Sequence, residues 1–350
     1  MRHNRIIILG GAGFVGSNLA LHLSRYKLSS VTVFDNLSRL GSADNVPDLI
    51  RSGAKFVHGD VRNNEDMRGL SMQCPDLVID CCAEPAVTAG YDAPKTVCDI
   101  NLGGTINALE LARQTDADFM FLSTSRVYPM HRIRQTKLVN LGNSLAFSED
   151  QVLPGVTDYG ISKDFPMNGI RSLYGATKYA SELLIAEYAD MFNVRTIVNR
   201  CGVIAGPRQA AHPGQGIFTY WLMAHHMQSA LRYIGWGGTG QQTRDLLHVD
   251  DLCELIVRQS YEYRYARHQT YNVGGGVAHA LSLAEATELC QEITGNKIHI
   301  GSEAAETKSD IPIYITDNRD VTAAFGWTPI RNPRQTLEDI YAWGKPRWQK

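Results

Sequence analysis

The sequence lacks a charge excess, long hydrophobic runs and paired cysteine motifs. Its 34 basic and 36 acidic side chains leave a formal charge of −2, which argues against a nucleic-acid partner because surfaces that bind polyanions are strongly basic. No apolar run approaches the roughly 18 residues that span a membrane, and the first one, Ile6–Leu9, ends at once in glycines. We therefore expect neither a nucleic acid nor a membrane among the partners.

The number and spacing of the seven cysteines argue against a disulfide framework. They are odd in number, and no two of them have the Cys-x-x-Cys spacing of a zinc or redox site. The adjacent residues His225 and His226 have no second pair at the spacing of metal ligands. We therefore predict no bound metal, and a reducing, cytoplasmic location fits best.

Among the features present, apolar periodicity is the most informative. Short β-branched runs alternate with longer amphipathic segments in the first half of the chain, as in parallel sheets covered by helices on both faces. Strands are predicted over 5–9, 31–34, 55–58, 76–82, 117–123 and 194–200, and helices over 14–26, 96–113 and 174–191. The sequence thus predicts an α/β fold with a doubly wound parallel sheet.

The chain is long enough for two domains. The alternation of strands and helices stops near residue 203, so we predict one domain over 1–202 and a smaller α/β domain over 203–350, which could return strands or helices to the first. Residues 129–172 contain many turn formers and a basic cluster. Because loops of this length are usually lids or disordered segments, we expect this insert to be a lid; a solvated surface insert is the alternative.

A glycine-rich segment follows the first predicted strand. Gly10, Gly13 and Gly16 would allow a tight turn, close backbone approach to a pyrophosphate, and close packing of the helix that begins there. Asp35 ends the second strand roughly 20 residues later, where a carboxylate binds the ribose hydroxyls of a dinucleotide and repels a 2′-phosphate. This pattern predicts a Rossmann-type site for NAD rather than NADP. Asp60, which follows the third strand, fits an adenine contact or an ordinary turn equally well.

Three polar residues farther along have the chemistry of a hydrogen-transfer site. Thr124 follows a buried strand, at the sheet edge where ligands of such folds bind, and Tyr174 and Lys178 share one face of a predicted helix. A tyrosine is a weak base near neutral pH because its pKa is about 10, but a nearby ammonium group and an oxidised nicotinamide both favour the phenolate. A tyrosine and a lysine at this spacing are often only an exposed helical pair. Here they coincide with the glycine loop and Asp35, which favours a redox site.

Together these motifs resemble the extended short-chain dehydrogenase/reductase family, which includes nucleotide-sugar epimerases and dehydratases. The resemblance covers nearly the whole chain. It implies an NAD-dependent enzyme that forms a homodimer, catalysis by Thr124, Tyr174 and Lys178, and a second domain that binds the nucleotide-sugar. The NAD contacts that it implies are Gly10, Gly13, Phe14, Val15, Gly16, Asp35, Asn36, Ser38, Asp60, Val61, Cys82, Ala83, Asn101, Tyr174, Lys178 and Cys201. The implied substrate contacts are Pro85, Thr124, Ser125, Arg126, Arg208, Gln209, Gln215, Gly216, Arg244 and Lys308.

Further segments are similar to the branch of this family that epimerises carbon 2 of CDP-linked hexoses. They are residues 34–39, 56–63, 169–178, 206–216, 240–248 and 272–275. In many nucleotide-sugar enzymes an arginine in the position of Arg244 meets the substrate diphosphate; a surface salt bridge with Asp245 or Asp250 is the alternative. An arginine expected shortly before Asp310 is absent, so a second diphosphate contact would come from Lys308 or from the insert.

The residues after Thr124 favour epimerisation over the other reactions of the family. A dehydratase needs an acid and a base directly after the threonine, and Ser125 and Arg126 cannot supply that pair. Net oxidation or reduction needs cofactor exchange in every turnover, whereas an epimerase returns the same hydride to a transient ketone. We predict an epimerase acting at C2 of a CDP-hexose. A UDP-hexose 4-epimerase, another nucleotide-sugar oxidoreductase of the family, and a non-catalytic NAD-binding sensor are the alternatives.

Overall fold

The computed structural model of the protein describes residues 3–25, 30–212, 214–261, 267–305 and 310–348. Its strands, in chain order, are β1 Arg5–Leu9, β2 Ser30–Asp35, β3 Lys55–His58, β4 Leu77–Asp80, β5 Asp118–Thr124, β6 Leu138–Asn140, β7 Leu145–Phe147, β8 Val156–Thr157, β9 Gly160–Ile161, β10 Thr196–Cys201, β11 Val203–Ala205, β12 Leu231–Ile234, β13 Thr243–His248, β14 His268–Val273, β15 Ala280–Ser282, β16 Ile300–Glu303 and β17 Ile313–Tyr314. Its helices are α1 Phe14–Ser24, α2 Ser42–Arg51, α3 Asn64–Ser71, α4 Ala89–Asp92, α5 Pro94–Cys98, α6 Gly104–Thr115, α7 Met130–Ile133, α8 Leu173–Phe192, α9 Ile217–Met227, α10 Val249–Tyr261, α11 Leu283–Thr294, α12 Arg319–Phe325 and α13 Pro333–Gly344. No helix within the described ranges is long and apolar enough to cross a bilayer.

A parallel sheet of seven strands, in the order β14-β10-β5-β4-β1-β2-β3, forms the centre of the fold. β1 pairs with β2 and with β4, so that Ile8 lies between Val33 and Ile79. All three side chains are buried, as expected in a sheet covered on both faces. The strand order reverses between β4 and β1, and sheets of this kind bind ligands beyond the carboxyl ends of the strands at that point. The predicted doubly wound sheet is thus confirmed, and each of its predicted strands is present.

The helix predicted over 96–113 is interrupted, whereas the one predicted over 174–191 is present as α8. A π-helical turn at Asp99–Gly103 separates α5 from α6. The carbonyl oxygen of Asn101 in this turn accepts hydrogen bonds from the hydroxyls of Thr105 (2.8 Å) and Ser181 (3.2 Å). Widened turns of this type are frequent at functional sites. The helix predicted over 14–26 ends at Ser24, and residue 26 lies outside the described residues.

Internal contacts divide the chain into two compact units. The first comprises Met1–Val127, Leu173–Arg200 and Leu252–Tyr271, and the second comprises Tyr128–Ser172, Cys201–Asp251 and Asn272–Lys350. The insert therefore belongs to the second unit, whereas the sequence placed it in the first domain. Arg134 donates from Nε (2.9 Å) and Nη2 (2.6 Å) to the carbonyl oxygen of Asp310, and Asn272 donates to the carbonyl oxygen of Ile161 (2.9 Å). These bonds join distant parts of the chain, which no local pattern reveals.

The second unit has its own sheet and core. β13 pairs in parallel with β11 and β17 and antiparallel with β15. α9, α11 and α13 pack on one another around buried side chains that include Trp221, Leu222 and Leu337. α11 begins at a capping box, in which the hydroxyl of Ser282 accepts from the backbone N–H of Glu285 (3.0 Å) and the Glu285 carboxylate accepts from that of Ser282 (2.8 Å). This reciprocal pair satisfies donors that the first turn would otherwise leave open.

Candidate functional site

The glycine loop lies between β1 and α1, beside the point where the strand order reverses. A Cβ atom at Gly16 would lie 2.4 Å from the carbonyl oxygen of Gly10, so only glycine there lets the helix approach the loop. Gly13 precedes α1 and offers no side-chain cap, which leaves N–H groups of the first turn without an intrahelical partner. These donors, at the positive end of the helix dipole, fit the pyrophosphate of a dinucleotide.

Asp35 is well placed for the adenosine ribose of a dinucleotide. It ends β2 and is buried, and its carboxylate oxygens accept hydrogen bonds from the backbone N–H groups of Leu37 (2.8 Å) and Ala12 (3.0 Å). Each carboxylate oxygen can accept a second donor, such as a ribose hydroxyl. Burial raises the pKa of the Asp35 carboxyl, although these backbone donors oppose the change. The residues around the loop therefore fit NAD.

Asn36 and Asp60, two further predicted contacts, are joined to each other. Asn36 donates from Nδ2 to the Asp60 carboxylate (2.8 Å) and accepts at Oδ1 from the backbone N–H of Ser38 (3.0 Å). The Arg62 side chain also donates to Asp60 and holds the pKa of its carboxyl well below the usual range. The loops that follow β2 and β3 are thereby tied together.

We expect Asp35→Asn to weaken NAD binding by roughly 10- to 100-fold, because a hydrogen bond to a charged group contributes about 1.5–3 kcal/mol. The preference for NAD over NADP should also fall, since the repelling charge is gone. Titration of cofactor-stripped protein with each dinucleotide measures both effects. Asp44→Asn, which changes an exposed carboxylate in α2, is the control. If Asp35→Asn bound NAD as tightly as the wild type, Asp35 would not be a ribose-binding residue.

The first turn of α8 lies against the turn that follows β5. A Cβ atom at Gly175 would lie 2.0 Å from the carbonyl oxygen of Arg126, so glycine is required for this close approach. Tyr174 lies next to that glycine, and Thr124 ends β5. The Thr124 side chain is buried, and its hydroxyl accepts a hydrogen bond from the backbone N–H of Arg126 (3.2 Å). The fold therefore brings the elements that carry Thr124 and Tyr174 together.

Lys178 is almost completely buried, with only 1% of its surface exposed. Its ammonium nitrogen lies 3.8 Å from the centre of the Phe121 ring, which favours the charged form through a cation–π interaction. The buried carboxyl of Asp80 interacts electrostatically with the same charge: burial raises the pKa of Asp80, and Lys178 opposes that change. Sequence reasoning missed Asp80. The available signal was an ionisable residue at the end of the apolar run Leu77–Ile79.

Asn101 connects the loop after β4 to α8. Its Oδ1 accepts from the backbone N–H of Glu84 (2.7 Å), and its Nδ2 donates to the Glu84 carbonyl oxygen (3.2 Å) and to the Thr177 hydroxyl (3.2 Å). That hydroxyl donates in turn to the carbonyl oxygen of Tyr174 (2.9 Å). The π-helical turn thus positions Asn101 to hold two predicted cofactor-contacting segments in fixed relation.

The predicted contacts are distributed over both units. In addition to the residues described above, the first unit contains Phe14, Val15, Val61, Cys82, Ala83, Pro85, Ser125 and Arg126. The second contains Cys201, Arg208, Gln209, Gln215, Gly216 and Arg244. Burial raises the pKa of the Cys82 thiol, which argues against a thiolate at this position. Lys308 lies outside the described residues.

A cavity of about 210 Å³ in the second unit gathers three of the predicted substrate contacts. Its lining residues are Val203, Ile204, Gln209, Gly214, Gln215, Gly216, Ile217 and Phe218. The Gln209 amide donates to the carbonyl oxygen of Ile204 (3.1 Å) and accepts from the Thr219 hydroxyl (2.9 Å), so its orientation is held. Gly216 has a φ of 73°, a left-handed conformation that favours glycine.

Two guanidinium groups of the second unit converge on Asp310. Arg244 donates to its carboxylate (3.1 Å) and to the carbonyl oxygen of Ile311 (2.7 Å), while Arg134 of the insert donates to the Asp310 carbonyl oxygen. The ion-pair partner of Arg244 is thus Asp310, not Asp245 or Asp250. The insert brings a second cation to the region where the expected arginine is missing.

Most of the chain matches a known protein family. Residues 6–274 match the NAD dependent epimerase/dehydratase family. The match covers more than half of the chain, so the protein belongs to this family of enzymes, whose cofactor is NAD. The predicted family and cofactor are thereby confirmed.

Individual relatives extend over nearly the whole chain. CDP-paratose 2-epimerase of Salmonella typhi is 30% identical over 345 residues, which cover 97% of this chain and 98% of that protein. UDP-glucose 4-epimerase of Corynebacterium glutamicum is 25% identical over 349 residues, which cover 97% and 95%. The crystal structure of UDP-glucose 4-epimerase from Thermotoga maritima has a TM-score of 0.81 at 21% identity, covering 99% of this chain and all of that one, and shows that the fold is shared.

Proposed function

We propose that the protein inverts carbon 2 of a CDP-linked hexose, using NAD that stays bound throughout the cycle. The observation that carries the redox chemistry is the buried ammonium of Lys178 on the helix that also presents Tyr174. The choice of C2 and of CDP is supported by the full-length similarity to a CDP-paratose 2-epimerase. The runner-up, C4 inversion of a UDP-hexose, is supported by the lower similarity to a UDP-glucose 4-epimerase.

In the proposed reaction Tyr174 takes the proton of the substrate hydroxyl. When bound, NAD would supply the hydride acceptor, and later the hydride donor, at the same carbon. Lys178, one turn along α8, stabilises the phenolate through its charge, and Thr124 binds the reacting oxygen through its hydroxyl. The resulting ketone presents its other face, and Tyr174 returns the proton as hydride is returned. No net oxidation occurs.

The residues around Lys178 support its charged form in a buried position. Removing an ammonium group from water is costly, and the Phe121 ring and the Asp80 carboxyl offset that cost. Asp80 is itself positioned by donors, the hydroxyl of Thr105 (3.1 Å) and the backbone N–H of Cys82 (2.9 Å). We therefore assign Asp80 as a positioning residue for the lysine.

Several of the candidate substrate contacts belong to the second unit. Arg244 and Arg134 are our candidates for the diphosphate, because guanidinium groups bind phosphate oxygens with paired, charge-assisted hydrogen bonds. The cavity that includes Gln209 and Gln215 is our candidate for another part of the nucleotide-sugar. We further propose that the insert 129–172 is a lid, because it begins shortly after Thr124 and ends shortly before Tyr174. We also propose a cytoplasmic location, from the number and spacing of the cysteines, and a homodimer, from the family resemblance.

We expect CDP-paratose or CDP-tyvelose labelled with deuterium at C2 to give the inverted sugar with the label still at C2, because the same hydride returns. Substrate labelled at C4 should show no transfer of label to NAD. Product configuration and label position are followed by NMR, with CDP-glucose and UDP-glucose offered in parallel. Inversion at C4, with label transferred from that carbon only, would replace the C2 assignment by the runner-up and leave the epimerase assignment intact.

A further inference from the structure

An ion pair links the two loops that flank the glycine loop. β1 lies between β4 and β2 in the sheet, so the loops that follow these neighbours stand on either side of the carboxyl end of β1. Arg39, in the loop after β2, donates from Nη1 to a carboxylate oxygen of Glu84, in the loop after β4, at 2.5 Å. The pair thus spans the position at which the glycine loop begins.

The acidic end of this pair is firmly positioned. Both the backbone N–H and the carbonyl oxygen of Glu84 are bonded to the Asn101 amide, and its Oε1 accepts from the backbone N–H of Ala86 (3.2 Å). The side chain of Glu84 is 18% exposed, whereas that of Arg39 is 40% exposed. Arg39 is therefore the more exposed end of the pair, and Glu84 is the end that Asn101 connects to α8.

We propose that the Arg39–Glu84 ion pair is a clasp that closes over the pyrophosphate of bound NAD and slows its dissociation. The proposal rests on the proposed function in one respect: an enzyme that must return the same hydride needs its cofactor to stay bound between the two transfers. The loop after β4 also packs directly against the glycine loop, since a Cβ atom at Gly10 would lie 3.0 Å from the backbone nitrogen of Cys82. Arg39 and Glu84 are positioning residues for the cofactor and take no part in the hydride transfer.

A surface ion pair with a purely structural role would leave NAD release unchanged when it is lost. Because exposed ion pairs contribute little to folding stability, loss of the clasp should change NAD release without lowering thermal stability. The bond is also exposed enough to be weakened by salt, so NAD release from the wild type should accelerate as ionic strength rises. Variants that lack the pair should lose most of this salt dependence.

The test measures NAD release from the purified holoenzyme. Protein loaded with radiolabelled NAD is diluted into excess unlabelled NAD, and retained label is followed by filtration. Arg39→Gln and Glu84→Gln should each shorten the half-life of bound NAD roughly two- to fivefold, which corresponds to the loss of one partly exposed ion pair. The double exchange Arg39→Glu with Glu84→Arg should restore much of it. Arg51→Gln, which breaks the exposed pair with Asp48 in α2, is the matched control and should have no effect.

Two results would overturn the clasp. One is an unchanged half-life in both single variants. The other is rapid release from Arg39→Gln with normal release from Glu84→Gln, because Arg39 would then act on the cofactor directly. Failure of the proposed function is a separate result, since an enzyme that does not convert CDP-hexoses could still release NAD faster in both variants.

Discussion

Tyr174→Phe is expected to lower kcat by roughly 10²- to 10⁴-fold, the range that a positioned acid–base group contributes. The change removes only the phenolic oxygen, so the helix, Gly175 at its close approach to Arg126, and bound NAD should all be retained. Conversion of the nucleotide-sugar is measured together with the NAD content and the melting temperature of the same preparation. A large loss of kcat with unchanged cofactor content would identify Tyr174 as the proton-transfer group.

The control for this variant is Tyr179→Phe. Tyr179 lies on the same helix, but five residues further on it cannot share the face of Tyr174. It should keep wild-type turnover. Near-normal turnover in Tyr174→Phe, from a preparation free of wild-type enzyme, would exclude Tyr174 as the base. A wild-type protein that binds NAD firmly yet converts none of the offered nucleotide-sugars would favour the alternative of a non-catalytic NAD-binding sensor.

Glu182→Gln is expected to lower the free energy of unfolding by about 3–5 kcal/mol, the usual cost of breaking a buried ion pair from one side. The Glu182 carboxylate accepts from Nη2 (2.7 Å) and Nε (3.0 Å) of Arg200, and also from the hydroxyl of Ser123 (2.5 Å). The side chains of Glu182 and Arg200 are 5% and 10% exposed, so water cannot compensate. Urea denaturation followed by far-UV circular dichroism measures the change.

Glu187→Gln is the control for this second prediction, because Glu187 is an exposed carboxylate on the same helix. It should alter the free energy of unfolding by no more than about 0.5 kcal/mol. Replacing both Glu182 and Arg200 by methionine should recover most of the lost stability, since apolar residues of similar size often substitute well for a buried ion pair. Equal effects of the two glutamine variants would show that the buried pair is not a major source of stability.

The ion pair of Glu182 with Arg200 also helps to position the candidate site. Ser123 immediately precedes Thr124 in β5, and its hydroxyl is bonded to Glu182 two turns along the helix from Tyr174. This contact helps to fix α8 against the strand that carries the threonine. We therefore expect Glu182→Gln to lose some kcat at temperatures well below its melting temperature, although Glu182 is not among the predicted cofactor or substrate contacts.

The sheet and the cofactor loop could be worked out from the order of amino acids because their signals are local. A buried parallel strand needs a short apolar run, which is why the strand predicted over 5–9 is found as β1. The glycines at 10, 13 and 16 recur at a spacing that one turn and one helix start impose. Tyr174 and Lys178 are likewise neighbours on a single helix, so their spacing alone places them on one face.

Only the tertiary structure showed which distant groups meet. Asp80 interacts electrostatically with Lys178, Glu182 pairs with Arg200, and Arg134 of the insert reaches Asp310 instead of joining the first domain. The π-helical turn around Asn101 was equally hidden, because it depends on hydrogen bonds to another helix and another loop. Periodicity records which face of an element is buried, not which partner buries it. Pairing between charged side chains is decided by the packing of whole elements, and this packing has no signature within any single stretch of the chain.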